Sequence, residues 1–168
     1  MRRHLPLAVA LLLVTACGGD DEAAAPCDLL PLATAEGLVD QELERIRVAD
    51  GLSEDADEDA RTGADAADLR SCIYAPAGTE IGSEPATAVA LQLDRGLYDS
   101  KEELLAASQV GGILEGVGRA AIIETEEGGF TVAVIVDDEL SFGLVVRDPG
   151  IERESVIDLA REIADELE

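Results

Sequence analysis

The residues able to do chemistry in this 168-residue chain are mostly acids, 37 Asp and Glu, joined by three cysteines, one Ser–Lys neighbour pair and a glycine-rich run. Adjacent carboxylates occur at Glu102-Glu103, Glu126-Glu127 and Asp137-Asp138. Two carboxylates can cleave a glycosidic bond when they face each other across a cleft at about 5–10 Å. Neighbours in sequence do not meet that condition, and acids in hairpin turns are ordinarily there for solvation. Ser100-Lys101 would need a buried, deprotonated lysine to work as a dyad. At a helix start, Ser100 reads instead as a cap and Lys101 as exposed. Asp55, Asp57 and Asp59 alternate like the opening of a calcium loop. That loop needs Gly at its sixth position and Glu at its twelfth, where this chain has Ala60 and Ala66. The three aspartates are the weak metal candidates. Gly116-Val117-Gly118-Arg119-Ala120-Ala121 matches the dinucleotide pattern by letter. The mechanism needs a helix after it to meet the pyrophosphate, and Ile122-Ile123-Glu124-Thr125 reads as a strand, so the run is expected to be a structural turn.

Charge narrows the partners. The chain holds 12 Lys and Arg against its 37 acids, a formal net charge of −25. Nucleic-acid affinity comes largely from basic side chains displacing counterions, so no nucleic acid is expected as a partner. A polybasic membrane-surface module is excluded on the same ground. His4 is the only histidine, and Trp is absent, which removes the usual imidazole base and the best aromatic platform. No cofactor is expected.

Arg2 and Arg3 precede an apolar stretch, Leu5 to Val14, which is too short to span a bilayer as a mature anchor. Val14-Thr15-Ala16-Cys17 follows and resembles a bacterial lipobox. The resemblance implies cleavage before Cys17, a diacylglycerol thioether on its sulfur and a place on the extracytoplasmic face of the cell membrane. Two acyl chains suffice for stable anchoring. Residues 1–16 are thus expected to be a signal peptide, and 17–26 the lipidated cysteine with a flexible acidic tether. The mature chain would keep 10 basic residues against 37 acids, a charge of −27. Cys27 and Cys72 remain, and two thiols in an exported chain read as one disulfide.

The elements that must hold these groups form a single domain over 27–168. Asp28 to Val39 reads as a helix with Leu29, Leu30, Leu38 and Val39 as its apolar members. Glu42 to Val48 does not decide between helix and strand. The acidic segment 52–68 reads as a solvated loop, since Ser53 to Asp68 is Ala-rich and free of large apolar residues. Strands are expected over Leu69–Tyr74 and Thr87–Leu93, the latter alternating Val89, Leu91 and Leu93 on one face. Ser100 to Gln109 reads as a helix with a Ser100/Glu103 capping box. Three consecutive strands, Ala120–Thr125, Phe130–Val136 and Leu140–Arg147, are joined by hairpins. Ile151 to Leu167 is an amphipathic closing helix with Val156, Leu159, Ala160, Ile163 and Leu167 on one stripe. Antiparallel strands and helices without a βαβ rhythm give an α+β class.

Pro26-Cys27-Asp28-Leu29-Leu30, Cys72-Ile73-Tyr74, the Gly116-x-Gly118 turn and the final Leu159-Ala160 helix together resemble a family of small actinobacterial lipoproteins known only as a domain of unknown function. The resemblance implies a sheet-and-helix domain of the cell envelope and supplies no catalytic residues. The leading expectation is a non-enzymatic, lipid-anchored module that binds a ligand or another envelope protein. The alternatives are a carboxylate-based hydrolase and an acidic calcium- or cation-binding surface protein.

Overall fold

The computed structural model describes residues 25–47, 58–80, 83, 85–94, 101–107, 112–126 and 128–168. Seven antiparallel strands form one sheet: β1 (Glu44–Ile46), β2 (Ser71–Ala75), β3 (Ala88–Asp94), β4 (Gly112–Leu114), β5 (Ala120–Glu126), β6 (Gly129–Ile135) and β7 (Ser141–Arg147). Their spatial order is β1-β2-β3-β7-β6-β5-β4. The chain therefore reaches the sheet centre at β3, passes through α4 (Lys101–Ala107) to the far edge, and returns by two hairpins to pair β7 with β3. That central pair is fully registered, from Ala88 opposite Arg147 to Asp94 opposite Ser141.

Side chains alternate across a strand, and the two faces have different fates. One face carries Cys72 and Tyr74 of β2, Val89 and Leu91 of β3, Phe142, Leu144 and Val146 of β7, and Val132 and Val134 of β6. All of these are buried. They pack against α1 (Pro26–Leu29), α2 (Leu32–Val39) and α5 (Arg153–Leu167) in a single core. On α5, Val156, Leu159, Ala160 and Ile163 are the buried stripe. The opposite face is covered at one end by Leu104 of α4, which sits on Ala120, Ile122 and Ile135.

The N-terminal helix differs from the single helix expected over 28–39. Leu30 adopts φ −123°, ψ 79° and Pro31 φ −62°, ψ 148°, which separates α1 from α2. Proline disfavours the helical conformation in the residue before it, and Leu30 is released from the helix but fully buried. Of the undecided segment 42–48, Glu44–Ile46 forms the edge strand β1, and Val48 lies outside the described residues.

The acidic segment corrects a second expectation. Its described part, 58–68, belongs to α3 (Glu58–Arg70), a thirteen-residue helix rather than a loop, which also takes in Leu69 and Arg70, expected to begin the following strand. The segment has no large apolar face, but backbone helicity needs none. Ala60, Ala64, Ala66 and Ala67 supply good propensity, while Glu58 and Asp59 in the first turn and Arg70 in the last complement the helix dipole. Residues 52–57, including Asp55 and Asp57, lie outside the described residues, as do Cys17, the tether to Ala24, and Ser100 with its capping box.

Candidate functional site

A cleft of about 300 Å³ lies on the less covered sheet face, beside β1, β2, β3 and β7. Its floor is built from the alternate residues of strands whose other side chains fill the core. Ile73 and Ala75 lie opposite Cys72 and Tyr74, Ala88 opposite Val89, and Val145 between Leu144 and Val146. Ile46 is paired with Ile73 across the β1–β2 ladder, and Ile46, Ile73 and Val145 are all half-buried. The wall comes from the connection after β2, through Thr79, Glu80, Ser83 and Pro85. Glu44 holds this connection to the edge strand, its Oε1 accepting the Gly78 N–H at 2.9 Å. Arg147, at the end of β7, completes the lining.

Among the described residues the lining is mainly aliphatic, with the Glu80 carboxylate, the Arg147 guanidinium and the Thr79 and Ser83 hydroxyls as its polar groups. A pocket of that volume is at the lower end of ligand-binding sites, which are commonly apolar with a few placed polar groups. Sequence reasoning named none of its residues as a site. The signal available was the unbroken apolar character of Cys72-Ile73-Tyr74 and Leu144-Val145-Val146, since strands that are apolar on both sides call for cover on both faces.

The groups singled out from the sequence lie elsewhere and apart. Glu102 and Glu103 are exposed on α4. Asp137 caps its own turn, Oδ1 accepting the N–H groups of Glu139 at 2.7 Å and Leu140 at 2.8 Å. Asp138 forms an exposed ion pair with Arg119. Glu127 is outside the described residues. Asp59 lies in the first turn of α3, and no group of metal-ligating side chains occurs among the described residues. Among the described residues, none of these carboxylates lines the cleft.

The glycine-rich run is an arch between β4 and β5, with a strand after it. Gly116 and Gly118 have φ +70° and +51°. Arg119 N–H donates to Ile135 O at 2.9 Å, and Arg161 Nε of α5 donates to Gly116 O at 3.3 Å. A Cβ at Gly118 would lie 2.8 Å from both Ile135 O and Val134 Cγ1. Gly118→Ala is therefore expected to cost about 1–3 kcal/mol, combining left-handed strain with overpacking. Urea denaturation checks this, with Gly116→Ala, whose Cβ meets nothing within 4 Å, as the milder control.

Cys27 of α1 and Cys72 of β2 form the disulfide, with Cα atoms 5.1 Å apart. Beside it the Tyr74 hydroxyl donates to Leu30 O at 2.9 Å, a buried bond that fixes the end of α1. Burial is the largest influence on Tyr74 and raises its pKa above the ordinary 10.0; Arg45 acts against this and Asp28 with it. Folding thus favours the protonated phenol. The associated stability is fully present below pH 10.0 and declines as pH rises through the folded value. Tyr74→Phe is expected to lose about 1–3 kcal/mol at neutral pH by leaving the Leu30 carbonyl unpaired. The variant should also show a shallower loss of stability above pH 10, measured as urea midpoints against pH.

Comparison with protein-family models, with curated proteins and with solved structures finds no match to this chain.

Proposed function

We propose that this chain is a lipid-anchored, extracytoplasmic binding protein of the cell envelope, without catalytic activity of its own, whose cleft holds the apolar part of a small ligand. The observation that carries this reading is the lining itself: among the described residues it is mainly an aliphatic sheet surface, made by Ile46, Ile73, Ala75, Ala88 and Val145. Membrane attachment rests on the lipobox-like sequence ending at Cys17 and on the two-chain logic of stable anchoring.

Binding is tested with the mature chain carrying Cys17→Ser, which stays unacylated and needs no detergent to compete for the cleft. An apolar fluorescent probe such as anilinonaphthalene sulfonate should bind it, and Ala88→Phe, which fills the floor, should abolish the signal while the thermal transition persists. Equal probe binding by both proteins would overturn the reading. Anchoring is tested by metabolic labelling with an alkyne fatty acid, which should mark the full chain and not its Cys17→Ala variant; label on both, or on neither, contradicts it.

A further inference from the structure

Resting on the reading of the cleft as a ligand site, we propose that it takes one unbranched hydrocarbon chain, the acyl part of a lipid. The shape of the floor points there. Ile46 lies opposite Ile73, and Ile73 and Val145 both lie opposite Ala90, so these four form one row across β1, β2, β3 and β7. Tyr74 pairs with Val89, which sets Ala75 beside Ala88 in the next row on the same face. Neighbouring strands are about 4.8 Å apart, so a row across four of them is about 14 Å long, while rows two residues apart along a strand are separated by about 7 Å. The apolar floor is thus longer than it is wide, and its long direction crosses the strands.

Side-chain size turns that floor into a furrow. Ala75 and Ala88 carry single methyl groups where Ile46, Ile73 and Val145 stand taller on one side, and Thr79, Ser83 and Pro85 line the other, where the chain leaves β2 and enters β3. A linear chain laid in the furrow touches both banks along its length; a compact ring system of equal volume leaves part of that length empty. The volume of about 300 Å³ matches about ten methylene groups, each close in size to a water molecule, whose share of liquid volume is about 30 Å³. The polar groups beside the floor are largely engaged within the protein. Thr79 Oγ1 donates to Pro76 O and Ser83 Oγ to Glu80 O, both at 2.6 Å, and Arg147 has a partner within the chain. The described lining carries no aromatic ring. Attachment through Cys17, as proposed above, keeps the cleft near a membrane, a store of such chains.

The test is displacement of bound anilinonaphthalene sulfonate from the unacylated mature chain by saturated fatty acids and by their monoacylglycerols, each below its aggregation concentration. Affinity should rise about fourfold per added methylene, the ratio expected for burying one such group, and level off near about ten carbons, the length the volume allows. Decanoate should bind at least roughly tenfold more tightly than adamantane-1-carboxylate, a compact acid of similar carbon number. Ala88→Leu, which lengthens a side chain in the furrow, should move the levelling point to a shorter chain while the thermal transition persists. The length series on the unsubstituted chain stands without this variant. Binding of the acids alone assigns a free fatty acid and of the glycerol esters alone an esterified lipid; both support the proposal. Affinity that ignores chain length, or climbs without levelling, overturns it. So does equal binding of the compact acid, or an unchanged levelling point in the folded variant. A cleft that binds the probe but neither series also overturns the proposal and leaves the ligand-binding reading standing. Failure of the probe as well overturns both.

Discussion

Replacing Cys72 by Ser is expected to lower the unfolding free energy by about 2–5 kcal/mol, a fall in melting temperature of roughly 5–20 °C for a domain of this size. The disulfide joins residues 45 apart in sequence, and a loop of that length is worth roughly 4 kcal/mol in the chain-entropy model. Position adds to the effect. Cys72 lies on β2, next to the sheet centre, while Cys27 belongs to a helix of four residues. A helix that short has little stability of its own, so α1 depends on the bond and on the Tyr74–Leu30 hydrogen bond to stay on the core. Cys27→Ser breaks the same bond and should cost a similar amount. The double variant should cost no more than the larger single one, since the interaction can be lost only once. Additive losses in thermal or urea unfolding would mean that the two sulfurs act separately.

The second large effect is expected at Ile163, where Ile163→Ala should cost about 2–5 kcal/mol. Ile163 is 1% exposed and sits in the middle of the buried stripe of α5, the helix that covers much of the main core. Truncation removes buried methyl and methylene groups and leaves a void lined by side chains that the sheet holds in place. Ile113 supplies an internal control of the same residue type. It is 53% exposed on the edge strand β4, so Ile113→Ala should change stability by less than about 0.5 kcal/mol. Urea midpoints at constant slope test the pair. Similar losses at both positions would contradict the placement of α5 against the sheet.

Much of this architecture was legible in the residue pattern because local and long-range requirements coincide there. Val89, Leu91 and Leu93 alternate, as do Phe142, Leu144 and Val146, and each set faces the core. Val156, Leu159, Ala160 and Ile163 repeat at helical spacing on the helix that covers them. The Cys27–Cys72 pairing followed from exported-protein chemistry. Where the reading failed, one kind of evidence had been used to answer a different question. The lack of large apolar residues over 58–68 bears on what the segment can add to a core; it does not say that the backbone avoids a helix. Pro31 falls inside the helix expected over 28–39, and its effect on Leu30 divides the element in two.

The cleft was illegible for a physical reason. Its floor residues look like core residues, being Ile, Val and Ala in strands, and only the sheet order reveals that they line a cleft at one corner of that face. Strand order places β1 beside β2, and β7 beside β3, pairings that no local pattern announces. Its polar groups come from a connection with no periodicity, Thr79 to Pro85, and from Arg147, which reads simply as the last residue of a strand. The acids that drew notice in the sequence are exposed or occupied in turns, as Asp137 and Asp138 illustrate.

The central claim is that this corner of the sheet holds a ligand, and a methyl NMR titration of the unacylated mature chain tests it most directly. With anilinonaphthalene sulfonate as the titrant, shifts should concentrate on the methyl groups of Ile46, Ile73, Ala75, Ala88 and Val145, while Ile163 and Leu144 in the main core and Ile113 on the opposite edge stay still. Shifts centred on Ile113, or spread through the core without the floor residues, would contradict the account.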